Sequence, residues 1–249
     1  MELRGSAALV TGGGRGLGEA LGRILARAGS RVVLVARTGA EVEAVAAALR
    51  AEGHEAHALV ADVGRPEAAY RIAGAAAELL GPIDVLVHAA STLGPLPLRP
   101  LLDTTAEELE RVLAVNLVGP FRLSRAVAGA MALRGHGLVL HVTSDAGTTA
   151  YPGWGAYGVS KAALDHLARS FAAELAEDGV HVLTVDPGEM DTRMHAEAMP
   201  AADRSALARP EDVARRIAAL MVRAEEFPAG ARLELADLPE RSGEREVRP

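Results

Sequence analysis

The feature of this sequence that most constrains its fold is a regular alternation of short apolar runs with longer segments of helical spacing. The short apolar runs predict buried strands at Ala7–Thr11, Arg31–Ala36, Ala56–Ala61, Ile83–Ala89, Gly137–Thr143 and Val180–Asp186. The intervening segments predict helices at 16–28, 40–52, 66–80, 105–133 and 155–178. We therefore predict a doubly wound α/β fold, a parallel sheet of about seven strands with helices on both faces, completed by a helix after Pro210 and a weak strand at Ala231–Leu235.

Nothing in the sequence divides the chain into separate parts. It contains no internal repeat and no clear linker, and its 249 residues suit one large α/β domain or two small ones. We predict a single domain over residues 1–249, in which the charged tail from Pro239 is frayed.

The overall composition excludes several classes of protein. The formal net charge is -7 and no basic stripe with interleaved aromatic residues occurs, so nucleic acid is not an expected partner. No apolar run approaches the roughly 18 residues of a membrane span, and no signal-peptide layout is present, so we expect a cytoplasmic protein. The absence of cysteine excludes disulfides and thiolate chemistry, and we predict no metal site.

Two residue types are almost missing from the chain. It has 25 Arg but a single Lys, Lys161, and it has a single Asn, Asn116, with no Gln. This depletion suggests a GC-rich genome, and the shortage of amides also fits a thermophile. The two residues are either chance leftovers or stand where no substitute works, because Arg does not replace a compact ammonium. Composition leaves both interpretations open, and the positions of the two residues have to decide between them.

A glycine-rich loop, Thr11–Gly18, joins the first predicted strand to the first predicted helix. Its glycines permit a tight turn and a close approach of the backbone, and the helix N-terminus offers free N–H groups to a pyrophosphate. A purely structural turn is the alternative, which the position after the first strand disfavours. We predict that the loop binds a dinucleotide cofactor through Gly12, Gly14, Arg15, Gly16, Leu17 and Gly18.

The glycine spacing, Gly-x-x-x-Gly-x-Gly after a threonine, resembles the motif of the short-chain dehydrogenase/reductase family. The resemblance extends from residue 5 to about residue 235 and implies a Rossmann-type fold and an NAD(P)-dependent oxidoreductase. Asp62-Val63, after the third strand, resembles the family's Asp-Val/Leu pair, whose aspartate binds the adenine amino group. An ordinary turn aspartate is the alternative for Asp62.

The end of the second strand bears on which nicotinamide cofactor is bound. An acid at this point usually binds the ribose 2′-hydroxyl, but here the strand ends with Ala36 followed by Arg37. Two guanidinium groups, from Arg37 and Arg15, suit a 2′-phosphate, and basic residues at these places imply NADP preference in the family. Two solvated surface arginines are the alternative, and the missing acid at Ala36 favours NADPH.

The segment after the fourth strand departs from the family pattern. Most members have Asn-Asn-Ala-Gly, whereas residues 88–91 read His-Ala-Ala-Ser. Backbone contacts of Ala89 and Ala90 with the cofactor are still implied, but the side-chain contacts of the usual asparagine are lost. His88 is predicted to be a packed or hydrogen-bonded histidine.

A tyrosine and the single lysine are spaced for proton transfer. Tyr157 and Lys161 are four residues apart and so share one face of a helix. A neighbouring ammonium is expected to lower the tyrosine pKa from about 10, which allows proton exchange near neutral pH. Tyr-x-x-x-Lys often occurs by chance, but here it contains the only lysine. The family resemblance implies that Tyr157 is the general acid/base and that both residues bind the cofactor.

Two polar residues complete the predicted catalytic set. Ser144 ends the fifth strand, at the edge of a parallel sheet where ligands bind, and its hydroxyl is suited to a substrate carbonyl. Thr143 competes for this role, and the family spacing selects Ser144. Asn116 lies in an apolar helical run, where Asn is unfavourable. The family implies that Asn116 kinks the helix and holds a water linked to the lysine, while a buried amide that satisfies backbone groups is the alternative.

The loop after the sixth strand resembles the family's Pro-Gly-x-x-x-Thr, with Pro187, Gly188 and Thr192 at the matching positions. The resemblance implies that the first two shape the turn and that Thr192 binds the nicotinamide carboxamide. Glu189 and Asp191 are either substrate contacts or, as we prefer, part of a solvated loop.

The resemblance implies a concrete reaction. Hydride passes from NADPH to a carbonyl carbon, Tyr157 protonates the oxygen, and Ser144 orients it.

Apolar residues in the substrate loops suggest a partly apolar carbonyl or alcohol. The Ala- and Leu-rich helices 105–133 and 155–178 predict a homodimer or homotetramer. A non-catalytic NADP-binding sensor on the same fold is the alternative function.

Overall fold

The computed structural model describes residues 1–238 and is built around a parallel sheet of seven strands. The strands are β1 Ala7–Thr11, β2 Arg31–Ala36, β3 Ala56–Val60, β4 Val85–His88, β5 Gly137–Val142, β6 Val180–Asp186 and β7 Arg232–Glu234. Their order in the sheet is β3-β2-β1-β4-β5-β6-β7, and every neighbouring pair is parallel. This order confirms the predicted doubly wound α/β fold. The predicted frayed tail from Pro239 lies outside the described residues.

Helices cover both faces of the sheet. They are α1 Gly16–Arg27, α2 Gly39–Ala51, α3 Ala68–Leu80, α4 Ala106–Leu113, α5 Gly119–Arg134, α6 Gly155–Glu174, α7 Arg193–Ala198 and α8 Pro210–Val222. Apolar residues of α1, α2 and α8 pack on one face, and those of α3, α5 and α6 pack on the other. Among residues 1–238, no helix is both long and apolar enough to span a bilayer.

Strand β2 shows why the strands are continuous apolar runs. Val32 and Leu34 belong to the core on the α1 side of the sheet, while Val33 and Val35 belong to the core on the α3 side. All four are fully buried. Because successive side chains point to opposite faces, a strand covered by helices on both faces needs apolar residues at every position.

The clearest difference from the sequence prediction is in the helix predicted over 105–133. It is two helices, α4 and α5, joined by a π-helical turn at Ala114–Val118 that contains the fully buried Asn116. Thr105 and Glu108 form a capping box that begins α4. The periodicity of apolar residues continues through the π turn, which is why the sequence predicted a single helix.

Smaller differences occur at the other elements. Strand β4 is shorter than the predicted Ile83–Ala89, and the weak strand predicted at Ala231–Leu235 is the short β7. Helix α7, in the loop after β6, was not predicted, because six residues are too few to show a helical period. The predicted and observed bounds otherwise agree within a few residues, as is usual for element ends.

Candidate active site

A cleft of about 650 Å³ opens at the carboxyl ends of the central strands, where parallel sheets bind ligands. It brings together nearly all the residues predicted from the sequence to form the site. Those that line it are Gly12, Gly14, Arg15, Gly16, Leu17, Gly18, Arg37, Asp62, Val63, Ala89, Ala90, Ser144, Tyr157, Lys161, Pro187, Gly188 and Thr192. Asn116 is buried behind the cleft wall and does not line it.

The glycine loop is packed too closely to accept side chains. A Cβ on Gly12 would lie 2.7 Å from the Ala90 nitrogen, and Gly12 has φ +74°, which favours glycine. A Cβ on Gly18 would overlap the Gly12 carbonyl oxygen. At the start of α1 the Arg15 side chain makes no capping hydrogen bond within the described chain. The N–H groups of the first turn are therefore available to an anion, and the loop fits a pyrophosphate.

Arginines and a carboxylate line the cleft near the glycine loop. Arg15 and Arg37 line it together with Ala36. Glu41 lines it too, with one carboxylate oxygen 4.0 Å from Nη1 of Arg15. Glu41 was not among the site residues predicted from the sequence. A phosphate bound by Arg15 would have to share that guanidinium with Glu41.

Asp62 and Ala90 both help to fix the loops in which they lie. Asp62 Oδ1 accepts a 3.0 Å hydrogen bond from the Gly64 nitrogen, which is the contact of a turn aspartate. The Ala90 nitrogen donates to Thr11 Oγ1 at 3.3 Å, which joins the end of β4 to the start of the glycine loop. Asp62 also lines the cleft, so its turn contact and a contact with adenine are compatible.

Tyr157 and Lys161 lie one turn apart on α6, with both side chains turned towards the cleft. The Lys161 Nζ is 5.5 Å from the centroid of the Tyr157 ring and donates a 2.7 Å hydrogen bond to the Val142 carbonyl at the end of β5. Both residues are buried. Helix α6 therefore holds the ammonium beside the phenol, and β5 fixes the ammonium in place.

The pKa of Tyr157 differs from the sequence expectation. The pKa of its hydroxyl is raised to about 12, chiefly by burial and also by the Asp186 and Asp145 carboxylates, while hydrogen bonding by Ser144 and Ser91 acts in the opposite direction. Burial also lowers the pKa of Lys161 to about 8. The expected lowering of the tyrosine pKa was wrong, because desolvation of the phenolate outweighs the nearby ammonium.

Ser144 is part of a chain of hydroxyl and carboxylate groups. Its hydroxyl donates to Asp145 Oδ1 at 2.9 Å, and Asp145 Oδ2 accepts a 2.8 Å hydrogen bond from the Tyr151 hydroxyl. A hydrogen-bonding interaction with Ser144 also lowers the pKa of the Tyr157 hydroxyl, so the two hydroxyls lie near each other. The competing Thr143 is buried, and its hydroxyl has no hydrogen-bond partner in the described structure. Ser144 is thus the hydroxyl of this pair that contacts Tyr157.

Asn116 makes four hydrogen bonds through its side chain. Its amide nitrogen donates to the Thr92 carbonyl and to Ser160 Oγ, each at 2.9 Å. Its amide oxygen accepts from the Thr92 nitrogen at 2.9 Å and from Ser91 Oγ at 3.3 Å. The side chain therefore ties the π turn to α6 and to the loop after β4. This contact set matches the alternative of a buried amide that satisfies backbone groups.

His88 is packed and hydrogen-bonded, as predicted. Its ring stacks on His141 of the neighbouring strand with centroids 4.6 Å apart, and its Nε2 lies 2.9 Å from Ser124 Oγ. Burial lowers the pKa of His88 well below the usual value and that of His141 to about 3. Both imidazoles are therefore neutral near pH 7.

The loop after β6 is fixed at both of its ends. Asp186 Oδ1 accepts a 3.0 Å hydrogen bond from the Gly188 nitrogen, which holds the Pro187-Gly188 turn. Thr192 Oγ1 accepts from the His195 nitrogen at 3.2 Å and begins α7. Both Thr192 and Gly188 line the cleft. The preference for Glu189 and Asp191 as solvated loop residues is consistent with their exposure and with the ion pair of Asp191 to an arginine of the same loop.

Besides Glu41, three further side chains at the site were missed by sequence reasoning. Ser91 bonds Asn116 and acts on the pKa of Tyr157, Asp186 contacts the turn after β6, and Arg232 of β7 bonds Asp186 and the Ser144 carbonyl. Arg232 is 88 residues from Ser144 in the sequence, so no local pattern relates them. Asp186 had a local signal, since it ends a predicted strand beside the Pro-Gly turn.

The chain is similar to known oxidoreductases over most of its length. A family model described as short chain dehydrogenase matches residues 6–203. An uncharacterized oxidoreductase of Mycobacterium tuberculosis is 37% identical over 186 residues, which cover 74% of this chain and 69% of the relative.

Solved structures are similar in fold over nearly the whole chain. A 7α-hydroxysteroid dehydrogenase complexed with NADH and 7-oxo glycochenodeoxycholic acid superposes with a TM-score of 0.85 at 28% identity and covers 94% of each chain. A metagenomic short-chain oxidoreductase in complex with NADP has a TM-score of 0.79 at 31% identity, and covers 94% of this chain and 98% of its own. The two similar proteins therefore bind different nicotinamide cofactors.

Proposed function

Because this chain belongs to the short-chain dehydrogenase/reductase family, we propose that it reduces a carbonyl compound with NADPH and that Tyr157 is its general acid/base. The chain is an oxidoreductase of alcohol and carbonyl groups that uses a nicotinamide cofactor. The preference for NADPH, the roles of individual residues and the direction of the reaction are the proposal.

The observation that carries the proposal is the meeting of Tyr157, Ser144 and Lys161 in one cleft. Ser144 lies near enough to Tyr157 to lower the pKa of its hydroxyl, and the Lys161 ammonium lies 5.5 Å from the centroid of the tyrosine ring. The same cleft begins at the glycine loop, whose tight packing and free helix N-terminus fit a dinucleotide. An acid, a carbonyl-binding hydroxyl and a cation therefore lie at one end of a dinucleotide groove.

Different residues of this chain perform different steps of the proposed reaction. The bound cofactor supplies the hydride that the carbonyl carbon accepts. The Tyr157 hydroxyl donates its proton to the carbonyl oxygen as negative charge develops there. Its raised pKa favours the protonated phenol, which is the form that donates in the reduction direction. The Ser144 hydroxyl then stabilises the oxygen if it turns from Asp145 towards the substrate.

Lys161 supports the tyrosine through its charge. With a pKa lowered to about 8, the ammonium is still mostly protonated at neutral pH. A phenolate left by proton donation would be stabilised by this cation at short range. The Val142 carbonyl holds the ammonium by a 2.7 Å hydrogen bond, so its position does not depend on the ligand. Asn116 acts indirectly, because its side-chain amide donates a hydrogen bond to Ser160 and so holds α6 in place.

The preference for NADPH rests on the arginines at the glycine-loop end of the cleft. Arg15 and Arg37 both line it, and Ala36 stands where an acid would bind the ribose 2′-hydroxyl of NADH. Guanidinium groups bind phosphate by charge-assisted, bidentate hydrogen bonds. Similar proteins are solved with NADH and with NADP, so the likeness by itself does not choose between them. The charge at this end of the cleft favours the 2′-phosphate.

The substrate side of the cleft is largely apolar. Leu93, Ala146 and Tyr157 form a small buried cluster against which four further apolar side chains pack: Leu98, Trp154, Met194 and Ala198. This wall suits a carbonyl compound with an apolar body next to the reacting group. The 7-oxo steroid conjugate bound by a similar protein is a compound of that kind.

The test is a panel of ketones and aldehydes with NADPH, followed through the nicotinamide absorbance. We expect turnover with apolar carbonyl compounds and a higher kcat/KM with NADPH than with NADH. Binding of NADPH without turnover across the panel would instead support the non-catalytic sensor. Equal or better efficiency with NADH would contradict the cofactor preference.

We also propose that the chain forms one catalytic domain, acts in the cytoplasm and is a homo-oligomer. Two long helices expose apolar side chains that support the oligomer, namely Phe121 and Leu133 on α5 and Val159 on α6. Light scattering at micromolar concentration tests it, and a monomer would contradict it.

A further inference from the structure

Arg232 of β7 forms a buried cluster of charges directly behind the reacting centre. Its Nε donates to Asp165 Oδ2 at 3.2 Å, and its Nη2 donates to Asp186 Oδ2 at 2.9 Å and to the Ser144 carbonyl at 3.2 Å. Only 13% of the Arg232 side chain is exposed, against 4% for Asp165 and 9% for Asp186. We call Arg232, Asp165 and Asp186 the Arg232 cluster.

Apart from Glu234, two residues away, Arg232 bonds three residues, which belong to three separate parts of the active site. Asp165 lies on α6, one turn after Lys161. Asp186 ends β6, and its other oxygen holds the Gly188 nitrogen. Ser144 follows β5. A single guanidinium therefore joins the lysine helix, the cofactor loop and the backbone of Ser144, with the planar fork of donors that several fixed acceptors require.

The cluster also sets the charge around Lys161. The Asp165 and Asp186 carboxylates favour the ammonium of Lys161, and Asp186 disfavours the phenolate of Tyr157. The Arg232 guanidinium offsets both carboxylates at hydrogen-bond distance. Without Arg232, two buried carboxylates would lack their cationic partner, which is unfavourable at such low exposure.

The charged and titratable groups around Lys161 come from every neighbouring element. Those that interact with Lys161 directly are Tyr157 and Asp165 on α6, His141 on β5 and Asp186 on β6. Asp145 after β5 and Arg232 and Glu234 on β7 act on these groups in turn. Glu234 pairs with Arg232 but is half exposed, so solvent screens it. Arg232 is therefore the cation that offsets the two buried acids of this set.

We propose that Arg232 is a positioning residue of the active site, which holds Asp165, Asp186 and the Ser144 carbonyl in place and sets the electrostatic field at Lys161. This inference rests on the proposed function for the roles of Ser144 and Lys161, but not for the charge arrangement itself. Arg232 acts through these neighbours and needs no contact with substrate or cofactor.

The single lysine of the chain allows a direct test. Protein grown with isotope-labelled lysine gives one lysine side-chain signal, that of Lys161, whose pKa is then read from an NMR titration. In the Arg232→Met variant we expect this pKa to rise by about one pH unit, because two carboxylates act on the ammonium without their partner. In the double variant Arg232→Met/Asp165→Asn, one carboxylate is removed as well, and the pKa should return towards the wild-type value.

Two further variants serve as a control and as a replacement for Arg232→Met. Arg50→Met removes an arginine that bonds Glu43 and the Ala56 carbonyl, outside the cleft, and should leave the Lys161 pKa unchanged. If Arg232→Met does not fold, Arg232→Gln replaces it, since it loses the charge and keeps a hydrogen-bond donor. A Lys161 pKa that stays within about 0.2 units of wild type in a folded Arg232 variant would overturn the proposal, because a partner charge normally shifts a pKa by more.

Kinetics then separate this inference from the proposed function. We expect Arg232→Met to lower kcat about tenfold and to shift the pH profile of kcat in the same direction as the Lys161 pKa. If the wild-type protein reduces no carbonyl compound, the proposed function fails, while the NMR titration still decides the role of Arg232. If wild type turns over and the variant shows neither shift, the role of Arg232 is refuted and the proposed function stands.

Discussion

The Ser144 hydroxyl donates its hydrogen to the Asp145 carboxylate at 2.9 Å. The group proposed to bind the substrate oxygen is therefore held by a charged acceptor. A substrate carbonyl has to compete with that carboxylate for the hydrogen. Asp145 is in turn held by the Tyr151 hydroxyl and by the Ala146 nitrogen, so the acceptor itself is fixed.

The first prediction concerns this carboxylate. Because Asp145 adds to the raised pKa of Tyr157, Asp145→Asn should lower that pKa. Alcohol oxidation needs the phenolate as base, so its rate rises with pH through the tyrosine pKa. The rising limb should therefore move to lower pH, by up to about one unit. Tyr151→Phe removes a hydrogen bond to the same carboxylate without changing its charge, and a shift of equal size in that variant would rule out this explanation.

The second prediction concerns the proton donor. Tyr157→Phe should reduce kcat by about 10²–10⁴-fold, since general acid catalysis contributes that much. Binding of NADPH should change little, and Trp154, the only tryptophan and a residue of the cleft wall, reports it by fluorescence. Tyr70→Phe, at an exposed position on α3, is the matched control. Retention of most of the activity by Tyr157→Phe would remove Tyr157 from the mechanism.

The third prediction concerns cofactor choice. Glu41 lies 4.0 Å from Arg15 and lines the cleft, so its charge opposes a 2′-phosphate. Glu41→Gln should strengthen NADPH binding by about twofold to fivefold, the range of a partly exposed ion pair, and should leave NADH binding unchanged. Glu43→Gln on the same helix, which pairs with Arg50, should have no effect on either cofactor. An equal gain for NADH would show that Arg15 does not face the 2′-position.

The fourth prediction concerns stability in acid. His141 is fully buried, and neither of its ring nitrogens has a hydrogen-bond partner in the described structure. Burial, and to a smaller extent Lys161, lower its pKa from 6.5 to about 3 in the folded protein. The unfolded chain therefore binds a proton below about pH 6.5 that the folded protein rejects, and the free energy of unfolding falls by up to about 1.4 kcal/mol per pH unit from this residue.

The variant His141→Leu should remove that contribution. Urea unfolding at pH 8 and pH 5 measures it, and the loss of stability between the two should be smaller in the variant than in wild type. The dependence does not vanish, because burial also lowers the pKa of His88. His166→Gln, at an exposed position on α6, serves as control. An unchanged loss between pH 8 and pH 5 would contradict the assignment of this effect to His141.

Much of the fold could be predicted from local patterns. The run 32–36 is apolar at every position because Val32 and Leu34 enter one core and Val33 and Val35 enter the other. The same reasoning missed the π turn at Ala114–Val118, because hydrogen bonds of Asn116 to Thr92 and Ser160 hold it. Those partners are 24 and 44 residues away, beyond any periodicity within the helix.

The candidate site, like the fold, was predicted from the sequence only in part. Two features could be recognised in the sequence, because each depends on the geometry of a single helix or turn. They are the four-residue spacing of Tyr157 and Lys161 and the spacing of the glycines in the loop. The sign of the Tyr157 pKa shift was predicted wrongly. Spacing indicates a nearby ammonium, but it does not indicate how deeply the phenol is buried, and burial has the larger effect.

The order of strands and helices along the chain follows from the local chemistry of neighbouring residues, and so do the signals for the proposed phosphate-binding loop and the proposed reacting side chains. Which charges meet depends on the tertiary structure alone. Arg232 reaches Asp165, Asp186 and the Ser144 carbonyl across separations of 67, 46 and 88 residues. Such contacts depend on how β7 packs beside β6 and α6, and the electrostatic field at Lys161 follows from that packing.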